Sequence, residues 1–372
     1  MPHAHIRGWG KYVPANVMTN DDLARIVDTN DEWIRTRTGI AERRLAGKEE
    51  TTATMGAKAA REALTRAQAD PADVELIIVA TVTPDRVFPS ASCVIQDLIG
   101  ATNAAAFDLS AGCSGFVYAL SVASKMIESG AYRNALVIGA ETLSHLVNWE
   151  DRSTCVLFGD GAGAFFLEAD ERPGGLLGFE LGADGSGGAL LTGPLVGRGY
   201  VPAVGPENSP DYIYMNGRAV YRFATRVMGV AAKKAIERAG LTIEDIDLFI
   251  PHQANLRIIE AAAKQLQLPM EKVYVNIHRY GNTSAASIPV ACAEAAEEGR
   301  LKPGDTVVMV GFGAGLTWAA AVVQWPEPLP NGHKRTTTAR SWFYDKRARF
   351  VSMRHRLGHR VDELLETVRR DS

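Results

Sequence analysis

Residues 60–78 read AREALTRAQADPADVELII: apolar positions recur at helical spacing, a turn follows, an acidic pair brackets a valine, and an apolar run closes the stretch. Residues 232–250, AKKAIERAGLTIEDIDLFI, align with it without a gap at an offset of 172 residues. Both predict an amphipathic helix, a turn and a buried strand. Residues 104–130, AAAFDLSAGCSGFVYALSVASKMIESG, predict a strand, a tight turn and a helix, and residues 272–299, KVYVNIHRYGNTSAASIPVACAEAAEEG, predict the same order, with His278 on the strand. ALVIGAE (135–141) and TVVMVGFGAGLTWAAAVV (306–323) add buried strands, the second broken by a glycine cluster. Strands alternating with helices imply an α/β fold with mixed sheets covered by helices. Two similar halves sharing a central helical layer would make five layers, α-β-α-β-α, with functional loops gathered where the strands of both halves end. The alternative is two helix and strand units alike by chance.

The pattern divides the chain into an N-terminal half at 1–173, a C-terminal half at 174–325 and a tail at 326–372. Within the second half, residues 174–217 are rich in glycine and proline with little periodicity, and predict a loop insertion with short hairpins that forms a lid or binding wall.

The 372 residues are 46% hydrophobic with a net charge of -3, which suits a folded enzyme and excludes disorder for most of the chain. The charge is uneven: residues 1–325 carry -8 and residues 326–372 carry +5. The tail opens with three prolines in five residues, an extended linker. From about Phe343 it predicts basic amphipathic helices, with Val361, Leu364, Leu365 and Val368 as an apolar stripe. Attraction of an acidic partner, packing of the stripe on the body or a second subunit, and a solvated appendage all fit. No nucleic-acid module and no membrane span is legible. The cysteines Cys93, Cys113, Cys155 and Cys292 stand far apart without metal-ligand spacing, so neither a disulfide framework nor a metal site is expected. With no basic and apolar leader at the start, the expectation is a cytoplasmic protein.

Cys113 follows Ser110, Ala111 and Gly112 at a strand-to-helix turn. Unpaired N–H groups and the positive end of the helix dipole favour a thiolate there, which suits a nucleophile. A small buried apolar cysteine is the other reading; it is also the reading for Cys93, Cys155 and Cys292. A nucleophilic sulfur needs partners, and His252 in PHQAN and Asn282 in HRYGNTSAAS sit on the turns that end elements of the second half. The Asn282 region also reads as ordinary turn and cap residues. His3 and His5 are terminal, and His145 follows a strand. GFGAG (311–315) lacks the spacing and the helix of a dinucleotide loop and serves better where backbone approaches a reacting atom.

With these residues assembled, the chain resembles the β-ketoacyl-acyl-carrier-protein synthase III family, the initiating condensing enzymes of type II fatty acid synthesis, which have the thiolase fold. The stretches that carry the resemblance are NDEWIRTRTGI (30–40), DLSAGCSGF (108–116), DRSTCVLFGDGAGA (151–164), YMNGRAVYRFA (214–224), PHQANLRI (251–258), HRYGNTSAASIP (278–289) and GFGAGLTW (311–318). They span residues 1–325 and stand in the family's order. The resemblance implies Cys113 as the acyl-accepting nucleophile, His252 and Asn282 as the pair serving decarboxylation, and the backbone N–H groups of Cys113 and Ala314 as the oxyanion hole. It further implies Trp33, Arg37, Arg152 and Asn255 as coenzyme A contacts, Arg222 and Arg257 at the entrance used by the acyl carrier protein, and Phe88 as a side chain reaching the acyl pocket of a partner subunit. The implied enzyme is a homodimer that takes acyl-CoA as substrate, with no cofactor and no metal. A relative with another acceptor thioester and a non-catalytic scaffold are the alternatives. Primer length is not legible.

Overall fold

The computed structural model describes residues 2–194 and 211–326, together with Lys346, Phe350 and Met353. The apolar stripe expected at Val361, Leu364, Leu365 and Val368 lies outside the described residues.

Nine strands form the two main sheets: β1 (His3–Tyr12), β2 (Leu76–Ala80), β3 (Ala105–Leu109), β4 (Asn134–Glu141), β5 (Gly161–Asp170), β6 (Leu176–Ala183), β7 (Leu248–Pro251), β8 (Thr306–Gly313) and β9 (Thr317–Gln324). Seven helices matter for the site: α1 (Asp31–Thr38), α2 (Thr52–Ala67), α3 (Ala91–Ile99), α4 (Gly115–Glu128), α5 (Gly217–Arg238), α6 (Leu256–Gln265) and α7 (Ser287–Glu297). The first sheet has the order β1-β5-β4-β2-β3 and the second β7-β8-β9-β6.

The duplication extends to strand sense. From β2 outward the first sheet runs parallel to β4, then antiparallel to β5 and β1. From β7 outward the second runs parallel to β8, then antiparallel to β9 and β6. The turns Pro71–Asp73 and Ile243–Asp245 that lead into β2 and β7 stand at the offset read from the sequence.

Helices α4 and α7 touch both sheets and form the central layer. A helix between two sheets needs apolar or small residues on nearly every side. In α7 the run from Ser287 to Ala295 is buried without interruption, and α4 buries Phe116, Val117, Leu120 and Ile127 along with its small residues. Helices α2 and α3 cover the outer face of the first sheet, and α5 with α6 covers the second. The result is the five-layer α-β-α-β-α arrangement.

Two expectations need correction. The stretch at 174–217 is not all insertion, because LLGFELGA forms β6 and pairs with β9 from Leu176 to Ala183. Its alternation is masked by the glycines around it. The strand expected from Lys272 through His278 is reduced to a single bridge between Phe249 and Val273, and His278 sits in a short helix, Ile277–Tyr280. There the buried Gln253 side chain replaces the missing backbone ladder: its Nε2 donates to Pro251 O (2.8 Å) and Tyr274 O (3.1 Å), and its Oε1 accepts from the N–H groups of Asn276 (3.0 Å) and Ile277 (3.2 Å).

Candidate active site

Strand β3 ends at Leu109, and the chain turns through the 3-10 segment Gly112–Ser114 into α4, so Cys113 stands at the entry to the central helical layer. The turn is tied to the second half of the chain. Thr317 Oγ1 donates within reach of Ala111 O (2.9 Å) and Ala314 O (3.0 Å), and Ser114 Oγ lies 2.8 Å from Thr317 Oγ1. Gly112 has φ +55, and a Cβ on it would stand 2.6 Å from the Ala314 amide nitrogen. A Cβ on Gly313 would collide with the Cys113 amide nitrogen. The small residues are there because two backbones touch. Among the described residues the Ala314 N–H has no acceptor.

His252 follows β7 and is 1% exposed. Its Nδ1 lies 2.8 Å from Ser287 Oγ, which also accepts the Gln253 N–H at 2.9 Å. Among the described residues its Nε2 has no hydrogen-bond partner, and the ring packs edge-on against Phe312. Burial alone drives the imidazole down to about 3, so the ring is neutral near pH 7. Asn282 is held at three points: its N–H donates to Leu157 O (2.8 Å), its carbonyl accepts from Gly159 N–H (3.0 Å), and its side-chain Oδ1 accepts from Ser284 N–H (2.8 Å). The last bond consumes the amide oxygen and leaves the Nδ2 hydrogens as donors. The loop that grips Asn282 is fixed in turn by Arg43, wholly buried, whose Nη2 donates to Val156 O at 2.8 Å.

Cys113, His252 and Asn282 line one cavity of about 550 Å³, which also reaches Trp33, Arg37, Asn255, Arg222 and Arg257. Helix α1 is capped by Asn30 and presents Trp33; the Arg37 and Arg152 guanidiniums lie 4.5 and 4.8 Å from the centre of its ring. Arg152 also donates to Asp28 O at 2.7 Å. Asn255 caps α6 and its amide donates to Arg37 O at 2.9 Å, joining the halves at the cavity wall. Arg222 on α5 and Arg257 on α6 are exposed. His3, His5, His145 and His278 do not line the cavity. Phe88 does not line it either; with Val87 it projects from the loop after β2, 83% and 70% exposed. Cys155 and Cys292 are buried in apolar clusters, whereas Cys93, read as a packing residue, is exposed on α3.

Burial works against the thiolate expected at Cys113. It pushes the thiol up to about 12, aided by the nearby Glu141 charge and opposed by the Ser284 hydroxyl.

Two family models match: residues 107–185 fit that of 3-oxoacyl-[acyl-carrier-protein] synthase III, and residues 236–325 fit its C-terminal part. The β-ketoacyl-[acyl-carrier-protein] synthase III of Caldanaerobacter subterraneus is 53% identical over 324 residues, covering 87% of this chain and 98% of the relative's. The chain belongs to the β-ketoacyl-acyl-carrier-protein synthase III family. The Roseiflexus sp. synthase III matches at 53% identity over 325 residues, covering 87% of this chain and 98% of its own. The crystal structure of the Aquifex aeolicus synthase III superimposes with a TM-score of 0.81 at 50% identity, covering 87% of this chain and all of that one. The protein is therefore a condensing acyltransferase of the synthase III type with the thiolase-like fold.

Membership explains why the motifs of both halves converge. The residues that hold the catalytic candidates, namely Gln253, Ser284, Ser287, Thr317 and Arg43, were not singled out in the sequence. The serines of GNTSAAS read there as caps, and their spacing after Asn282 was the available signal. Among the described residues, no group of three or more His, Cys, Asp or Glu side chains could hold a metal ion, and no helix is long and apolar enough to cross a membrane.

Proposed function

We propose that the protein condenses an acyl-CoA primer with malonyl-acyl-carrier protein through an acyl-Cys113 intermediate, giving 3-oxoacyl-carrier protein, coenzyme A and carbon dioxide. The observation that carries the reading is the shared cavity: a sulfur, an unpartnered imidazole nitrogen and a free carboxamide NH2 face one space, supplied by both halves of the chain.

The Cys113 sulfur attacks the thioester carbonyl, and the oxyanion is held by the Cys113 and Ala314 N–H groups. Coenzyme A then leaves as product. Its nucleotide end is assigned to Trp33, Arg37 and Arg152, an aromatic face and two guanidiniums suited to adenine and phosphate, and its pantetheine arm passes Asn255. The carrier brings malonate past Arg222 and Arg257, whose exposed charge suits an acidic protein.

Loss of carbon dioxide places negative charge on the malonyl thioester oxygen. Ser287 Oγ accepts from Gln253 N–H, and the acceptor within reach of its own hydrogen is His252 Nδ1. That bond leaves the imidazole hydrogen on Nε2, so His252 and the Asn282 NH2 both donate to the enolate oxygen. The carbanion attacks acyl-Cys113 and releases the 3-oxoacyl thioester. A second subunit completes the acyl pocket: β3 is one edge of the first sheet, and exposed Phe88 and Val87 follow the adjacent β2.

Incubation with a panel of acyl-CoA primers and malonyl-carrier protein, read by intact mass, tests this. A Cys113 adduct and a 3-oxoacyl-carrier product are expected. Full condensation by Cys113→Ser with no adduct on the wild type would overturn the nucleophile assignment, and adduct without condensed carrier product would shift the acceptor to another thioester.

A further inference from the structure

The N–H groups of Cys113 and Ala314 come from different halves of the chain, and to hold one oxyanion both must stand about 2.7–3.1 Å from it at once. Their spacing depends on how the turn Gly112–Ser114 is fastened to the end of β8 and the loop that follows. The two backbones touch, since a Cβ on Gly112 would stand 2.6 Å from the Ala314 amide nitrogen and one on Gly313 would collide with that of Cys113. Contact limits how closely they approach but does not stop them from parting. Among the described residues no backbone hydrogen bond joins residues 111–114 to residues 311–317.

Side-chain hydroxyls make the junction instead. Thr317 Oγ1 lies 2.9 Å from Ala111 O, 3.0 Å from Ala314 O and 2.8 Å from Ser114 Oγ, and Ser114 Oγ lies 2.7 Å from Ala111 O. The four oxygens share two hydroxyl hydrogens, and Thr317 Oγ1 is the one within reach of the other three. Each carbonyl it reaches is one peptide unit from a donor: Ala111 O precedes the peptide that bears the Cys113 N–H, and Ala314 O follows the one that bears the Ala314 N–H. Thr317 is itself fixed at the head of β9, opposite Gly313 on β8 and Ala183 on β6. Neither Thr317 nor Ser114 lines the cavity.

We propose that Thr317 is a positioning residue for acyl loading, its hydroxyl setting the spacing of the two N–H groups that receive the thioester oxygen. The inference rests on the reading of Cys113 as acyl acceptor with those two donors. As the sulfur bonds to the acyl carbon, the carbonyl oxygen takes up an electron pair and the N–H groups hold its charge. The pair returns as the bond to coenzyme A breaks. Thr317 touches no substrate and exchanges no proton. Decarboxylation draws on other anchors, because His252 is held by Ser287, and Asn282 by Leu157, Gly159 and Ser284.

The test uses the full-length enzyme. Thr317→Val keeps the branched shape that suits a strand and removes the hydroxyl, whereas Thr317→Ser keeps the hydroxyl. Single-turnover acylation of Cys113 is followed by intact mass over a range of acyl-CoA concentrations. Thr317→Val should lower the maximal rate by about 10- to 100-fold, with the half-saturating concentration within about threefold of wild type. Thr317→Ser should recover the rate to within about threefold. Alkylation of Cys113 by iodoacetamide, a displacement at saturated carbon that forms no oxyanion, should change by less than about threefold in Thr317→Val. Carbon dioxide release from malonyl-carrier protein in a Cys113→Ala background should be equally insensitive to Thr317→Val. If near-ultraviolet circular dichroism shows Thr317→Val misfolded, Thr317→Ala carries the same expectations. Acylation at the wild-type rate in a folded variant without the hydroxyl overturns the proposal. An equal fall in alkylation and acylation overturns it too, because the sulfur itself would have moved, and so does failure of Thr317→Ser to recover the rate. Absence of any Cys113 adduct on wild type would instead overturn the nucleophile reading.

Discussion

At the scale of single residues, burial sets the chemistry more than charge does. His252 is held neutral by desolvation and lines the cavity, and its Nε2 has no hydrogen-bond partner among the described residues. Its folded-state value of about 3 lies below the ordinary 6.5, so its contribution to stability is full above pH 6.5 and is lost as pH falls toward 3. The decarboxylation half-reaction should accordingly be flat between about pH 5 and 8, measured as carbon dioxide release by pre-acylated enzyme. A drop across pH 6–7 would mean that the ring titrates there. Ser287→Ala should lower the decarboxylation rate by roughly 10-fold with little change in Cys113 acylation, because it releases the ring and leaves the buried Gln253 N–H without its acceptor. Equal loss in both steps would mean general misfolding.

At the scale of elements, the turns are what the sequence conveyed least well. The echo of helix, turn and strand was legible because its apolar spacing is regular in both copies. The stretch VYV after Lys272 carries the alternation of a strand, yet the chain there is fastened by the Gln253 side chain, an interaction between residues 21 and more apart that no local pattern encodes. Likewise β6 was hidden among glycines, since its place is fixed by pairing with β9, which comes more than 130 residues later in the chain. Cys113, His252 and Asn282 were legible as residue types at turns, while their convergence had to come from the layers. Gln253→Ala should destabilise the fold by about 1–3 kcal/mol, read by denaturant unfolding, and should lower turnover by disturbing both His252 and the Asn282 loop. Unchanged stability would show that solvent satisfies those backbone groups. Gly313→Ala forces a Cβ into the Cys113 amide and should abolish Cys113 acylation while the protein remains folded.

At the scale of the whole molecule, duplication accounts for the division of labour: the first half brings the sulfur to the central layer, and the second brings the imidazole and the carboxamide. The counterpart of β3 in the second half has shrunk to one bridge. The first sheet keeps β3 as one edge, with the exposed Phe88 on the loop after the neighbouring β2. The protein should sediment as a dimer, and Phe88→Ala should change the preferred primer length without changing the rate of Cys113 alkylation; a monomer with the same primer profile as Phe88→Ala would contradict that account. The central claim is that the two halves perform separable steps. It is tested most directly by measuring both half-reactions in Cys113→Ala and His252→Ala. Cys113→Ala should form no acyl adduct yet still release carbon dioxide from malonyl-carrier protein, whereas His252→Ala should acylate Cys113 and lose decarboxylation by about 10² to 10³-fold. Decarboxylation at the wild-type rate without His252, or acylation without Cys113, would contradict it.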